Sequence, residues 1–108
     1  MTRVVRLADV EVPVAPLPTA DVVRGAPAAG SVALATVGEA EVGVWRMTVG
    51  VARDVEVDEA FVVLAGRATI RLGDDESIDV SAGDLVTLRA GERTEWTVHE
   101  DLTKVYVA

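Results

Sequence analysis

The 108-residue chain has no cysteine and a single histidine, His99. The first absence excludes disulfides, thiolate catalysis and cysteine-type zinc sites. The second means that one chain cannot assemble a site of two imidazoles and a carboxylate. Basic residues are also scarce. Ten Lys and Arg stand against 18 Asp and Glu, for a formal charge of −8, and they are scattered rather than clustered. That balance argues against nucleic acid and against anionic membrane surfaces as partners. No apolar run approaches the roughly 20 residues of a membrane-spanning helix. The first residues lack the basic segment and apolar core of a secretion signal, because Asp9, Glu11 and Pro13 interrupt them. A cytoplasmic protein is the expectation. Aromatic residues number only four: Trp45, Phe61, Trp96 and Tyr106. Helical periodicity is missing too, since no ten-residue stretch repeats apolar residues at helical spacing.

What the chain does have is apolar content, half of its residues, enough for one small core. Residues 1–30 read as an arm carrying a short strand, in which Val10 and Val12 alternate with Glu11. Pro13, Pro16, Pro18 and Pro27 prevent long pairing there. This arm either lies over the rest of the molecule or lends an edge strand to a partner subunit. Residues 31–108 have a period of two, with turn signals every 8–12 residues. Strands are expected at 31–37, 42–49, 59–64, 68–72, 78–80, 85–88, 94–98 and 102–107. The polar turn Gly73-Asp74-Asp75-Glu76 joins 68–72 to 78–80 as a hairpin. The pattern is that of an all-β sandwich or barrel in a single domain.

Two stretches carry a more specific signal. Glu59 opens the run Phe61-Val62-Val63-Leu64, which stops at Gly66. Gly83-Asp84-Leu85-Val86 begins a second run that reaches Gly91, Thr94 and Trp96. Together they resemble the paired motifs of the cupin superfamily. In the first motif Glu59 and Gly66 keep the family's spacing. In the second, Gly83 and Gly91 match, while Arg89 and Thr94 stand where the family has Pro and His. Gly43-Val44-Trp45, Gly83 to Val86, Thr94-Glu95-Trp96 and a close running from Glu100 through Lys104 to Tyr106 are similar to the small single-domain cupins related to ureidoglycine aminohydrolase and to ethanolamine-utilisation cupins. The resemblance covers about residues 40–107. It implies a double-stranded β-helix, the jelly-roll barrel, and a homodimer, the commonest closed oligomer.

The family's metal site is not implied, because its histidines are missing. His99 lies five residues past the motif position and on the opposite side of its strand from Thr94 and Trp96. Oxygens of Glu59, Thr94, Asp54 or Asp58 offer a hard cation nothing that their spacing demands. No cofactor is therefore expected. Alternation places Glu59 on the face of Phe61 and Val63, and the motif register turns Trp45, Met47, Thr94 and Trp96 toward it. A carboxylate among apolar groups has a raised pKa and can act as general acid or base. Equally, it can be held structurally by Thr94, Arg53 or Arg93. Three readings follow. In the first, the barrel binds a small organic molecule without a metal, between the two tryptophans and Glu59, with Trp45, Met47, Phe61, Thr94 and Trp96 as contacts. In the second, the same scaffold is an isomerase, hydrolase or lyase with Glu59 as its catalytic group. In the third, the tryptophans plug the barrel and the protein is a dimeric interaction module.

Overall fold

The computed structural model describes residues 3–108. Nine strands run in chain order: β1 (Ala15–Pro16), β2 (Val22–Arg24), β3 (Ala28–Val37), β4 (Ala40–Met47), β5 (Gly50–Val55), β6 (Glu59–Leu72), β7 (Glu76–Ser81), β8 (Leu85–Leu88) and β9 (Arg93–Val107). Two single-turn 3-10 segments, Leu7–Asp9 and Thr19–Asp21, are the helical elements among the described residues. Among the described residues no helix is long and apolar enough to cross a membrane.

All strand pairs are antiparallel, and two long strands organise them. The second half of β9, Leu102 to Val107, lies between β4 and the first half of β6, whose far edge pairs with β8. The first half of β9, Arg93 to Val98, lies between β5 and the second half of β6, whose far edge pairs with β7. Two sheets thus share β6 and β9, and the strands bend from one sheet into the other. The sequence suggests separate strands on either side of Gly66 and of His99-Glu100-Asp101. In the structure each pair is one continuous strand. The bend coincides with register shifts between Val63 and Ala68. Gly66 sits in it at φ 89°, and a Cβ there would overlap the Asp101 carbonyl. Only glycine combines that backbone with so close an approach.

The two inner faces meet in one core. Phe61, Ile70 and Leu102 are essentially inaccessible, with Met47, Val63, Ala68, Val98 and Trp96 around them. Each such side chain contributes about 1.5–3 kcal/mol by leaving water. The outer face of the first sheet is also aliphatic: Leu85, Val62, Val105, Val44 and Val32 stand side by side across five strands.

The first thirty residues are tied to the barrel. β1 pairs with β3 and β2 with β5, and Leu17 N–H donates to the Pro27 carbonyl. The strand expected at Val10 to Val12 does not form, although Val12 is buried. Val49 also departs from the strand expected over 42–49. It lies beyond the end of β4, exposed, with its N–H donating to Asp101 Oδ1.

Candidate functional site

The inner face of β9 alternates Leu102, Lys104 and Tyr106, so a lysine is carried into the apolar interior. Cross-strand register sets Lys104 opposite Trp45 of β4 on one side and Val63 of β6 on the other. Its ammonium has two kinds of partner. Glu59 Oε2 accepts a hydrogen bond from Nζ at 2.6 Å, with the lysine side chain 6% and the glutamate 11% exposed. The same nitrogen lies 4.6 Å from the Trp45 ring centre, 4.3 Å from Phe61 and 4.9 Å from Trp96. Three π-faces and one carboxylate therefore replace the water that a buried ammonium loses. The rings pack on one another at tilted angles, with Trp96 5.5 Å from Trp45 and 5.7 Å from Phe61.

A second buried carboxylate lies beside this pair. Glu56 follows β5, and its backbone is fastened to the turn after β8: Glu56 N–H donates to Glu92 O, and Gly91 N–H donates to Glu56 O. Asp58 Oδ1 accepts from Ala90 N–H and fixes the same segment. Glu56 is consequently held inward, 7% exposed. Thr94 Oγ1 donates to its Oε1 at 2.7 Å and Trp96 Nε1 at 3.1 Å. Burial raises the Glu56 pKa above the usual carboxylate range, and the nearby Asp54 charge adds to this; the bonds from Thr94 and Trp96 and the Lys104 charge act in the opposite direction. At the other side, Tyr106 Oη donates to Glu41 Oε2 at 2.6 Å. Burial, then the bond to Glu41, raises the phenol's pKa, so Tyr106 stays a donor.

These groups line a cavity of about 350 Å³ at the barrel mouth. Trp45, Met47, Trp96, Glu56, Glu59, Lys104 and Tyr106 form its inner part, and Leu17 and Asp21 of the arm join Asp54 near its rim. Of the residues expected at a binding site, Trp45, Met47, Trp96 and Glu59 reach the cavity. Phe61 lies beneath Lys104 and is 1% exposed, and Thr94 is engaged with Glu56.

Two expectations are corrected. Glu59 is held by Lys104, not by Thr94, Arg53 or Arg93; Arg53 reaches Glu95 at 3.7 Å on the surface. The carboxylate whose proton affinity burial raises is Glu56, which the sequence places only among the charges of a connecting segment. The sequence reading misses Lys104, although the alternation Leu102, Lys104, Tyr106 is a signal that could have placed it inward. Glu56 gave no such signal, since its burial depends on the distant turn at Gly91.

The donor set does not fit the transition-metal site usual in cupins. Among the described residues no group of three His, Cys, Asp or Glu could hold a metal ion. Glu59, at the motif position of the metal-binding carboxylate, faces the Lys104 ammonium. His99 is on the outer surface, its Nε2 2.9 Å from Thr69 Oγ1, which itself donates to Asp79 Oδ1 at 2.7 Å. Lys104 supplies at Glu59 the positive charge that a metal would otherwise bring.

Known proteins share this architecture. The family model for EutQ-like cupin domains matches residues 34–106. A protein of unknown function from Rhizobium leguminosarum bv. viciae superposes with a TM-score of 0.67 at 23% identity, over 73% of this chain and 78% of its own. The Clostridium difficile EutQ protein gives 0.64 at 21%, over 75% of this chain and 61% of its own. A Pseudomonas syringae pv. tomato protein of unknown function gives 0.79 at 22%, over 92% of this chain and 44% of its own. The chain therefore spans less than two thirds of the latter two. No curated protein matches. At these identities the structural likenesses establish the fold alone. With the family model covering the barrel from β3 into β9, the chain belongs to the EutQ-like cupin domains.

Proposed function

We propose that this cupin domain binds a small organic molecule, without a metal ion, in the barrel mouth above the Lys104–Glu59 pair. Trp45 and Trp96 form the apolar wall, and Glu56 offers a polar contact. One observation carries the reading: a buried ion pair stands at the wall of a cavity of about 350 Å³ instead of being sealed by side chains. Desolvating two charges is costly, and a core made only for stability would cover them with aliphatic groups. The volume lies within the range of small-molecule sites, which combine apolar walls with a few fixed polar groups. The tryptophans pack against each other and leave the mouth open, which weighs against a plugged barrel. Titration of a fragment library against tryptophan fluorescence tests this. A saturable change that weakens in Trp45→Ala, read through the remaining Trp96, supports the reading. An unresponsive emission spectrum, with Trp45 found folded into the cavity in a crystal structure, would overturn it.

Glu56 favours an enzyme on the same scaffold as the second reading. Both of its hydrogen bonds fall on Oε1, which leaves Oε2 for the cavity, and burial raises its pKa above that of an exposed carboxylate, as an acid–base role requires. The acid–base role then belongs to Glu56 rather than Glu59, whose carboxylate is committed to Lys104. Turnover of an identified substrate that survives Glu56→Gln unchanged would exclude it.

A further inference from the structure

We infer that the ligand of this cavity is an organic cation, a small amine carried in its ammonium form, whose charge sits between Glu56 and Asp54 with its carbon frame against Trp45. The inference rests on the cavity being a binding site and specifies the chemistry of its occupant.

The charge count of the walls comes first. Asp21, Asp54, Glu56 and Glu59 line the cavity against Arg53 and Lys104. Lys104 is neutralised by Glu59 at 2.6 Å, and Arg53 turns to Glu95 at 3.7 Å with most of its side chain in solvent. What remains facing the cavity is carboxylate. Asp54 and Glu56 are two residues apart on the side of the segment that carries Ala52, so both point toward the barrel mouth. Asp54 spends Oδ1 on the Val55 N–H, and Glu56 spends Oε1 on Thr94 and Trp96. Neither takes part in an ion pair among the described residues.

The aromatic walls point the same way, independently of the carboxylates. The same barrel already holds one ammonium against indole and phenyl faces, at 4.3 to 4.9 Å. That box shows what chemistry the aromatic groups accept, and Trp45 also borders the cavity. An anionic ligand would meet Asp21, Asp54 and Glu56 without a free cation to answer it. An amine finds two carboxylate oxygens and an aromatic wall.

The proton balance follows from the surroundings of Glu56. Burial and Asp54 favour its neutral form, opposed by Thr94, Trp96 and Lys104. A bound ammonium favours the carboxylate, so amine binding and protonation of Glu56 oppose each other. Amine affinity therefore rises with pH until Glu56 ionises by itself, and then levels off. Tyr106 stays protonated across this range because its own pKa is raised.

Benzylamine and butylamine, each with its alcohol and its carboxylate counterpart, test the inference by tryptophan fluorescence and calorimetry between pH 5 and 8. The amines should bind about tenfold more tightly than the alcohols at pH 8, an advantage typical of a desolvated charge-assisted contact. They should weaken as the pH falls. Glu56→Gln, which keeps an oxygen for Thr94 and Trp96, should erase that advantage. Alcohols or carboxylates that bind as well as the amines would overturn the cationic ligand while leaving the cavity a binding site. If none of the six compounds binds, both inferences fall.

Discussion

Lys104 Nζ lies 2.6 Å from Glu59 Oε2, inside a box of three aromatic rings. Because both charges are buried, the pair is strongly coupled, and its loss is informative.

Removal of either charge alone should be costly. Lys104→Met strands the Glu59 carboxylate, and Glu59→Leu strands the ammonium. Each should lower unfolding free energy by about 3–5 kcal/mol. The double variant should recover most of that loss, since two apolar groups need no mutual compensation. Urea denaturation of the four proteins measures the coupling. Single variants within about 0.5 kcal/mol of the parent would show that the pair is hydrated rather than buried.

Glu56 makes stability depend on pH. Its folded pKa is raised, so the folded state binds the proton more tightly than the unfolded state does. Its contribution is fully present below the unfolded carboxylate pKa of about 4.3 and is lost as pH rises through the folded value. Glu56→Gln mimics the protonated group. Its melting temperature should exceed that of the parent at pH 8, with the difference closing toward pH 4. A constant offset across that range would assign the ionisation elsewhere.

The bend in β6 should depend on Gly66. Gly66→Ala meets both a φ of 89° and the Asp101 carbonyl, whereas Gly73→Ala meets a φ of 62° with nothing within 4 Å of the added Cβ. The hairpin-tip substitution should cost about 1 kcal/mol, the usual penalty of a left-handed residue. Gly66→Ala should exceed it by at least about 2 kcal/mol, because backbone must move. Equal losses would mean that the bend tolerates a side chain.

The jelly-roll class was legible because its evidence is local: alternating apolar residues, turn glycines and ordered motif fragments. Where strands end was harder to read. A polar run such as His99-Glu100-Asp101 and a glycine such as Gly66 look like turns, yet here they mark strands crossing between sheets. Alternation together with the motif register that the resemblance implies places Trp45, Met47 and Trp96 beside Glu59. Glu56 is not placed there, because nothing near it in sequence shows that Gly91 and Glu92 fold back on its backbone. Partner choice for Glu59 also escaped the sequence. Strand register, which brings Lys104 opposite Trp45, decides it.

The open barrel mouth walled by Trp45 and Trp96 is best probed through the pair of indole N–H signals in a nitrogen-15 NMR titration with the amine and alcohol fragments. Saturable shifts of both signals are expected, accompanied by Lys104 and Glu56 and absent from the surface around His99. Shifts confined to the outer surface, with both indole signals unmoved at saturation, would contradict a ligand-accepting mouth.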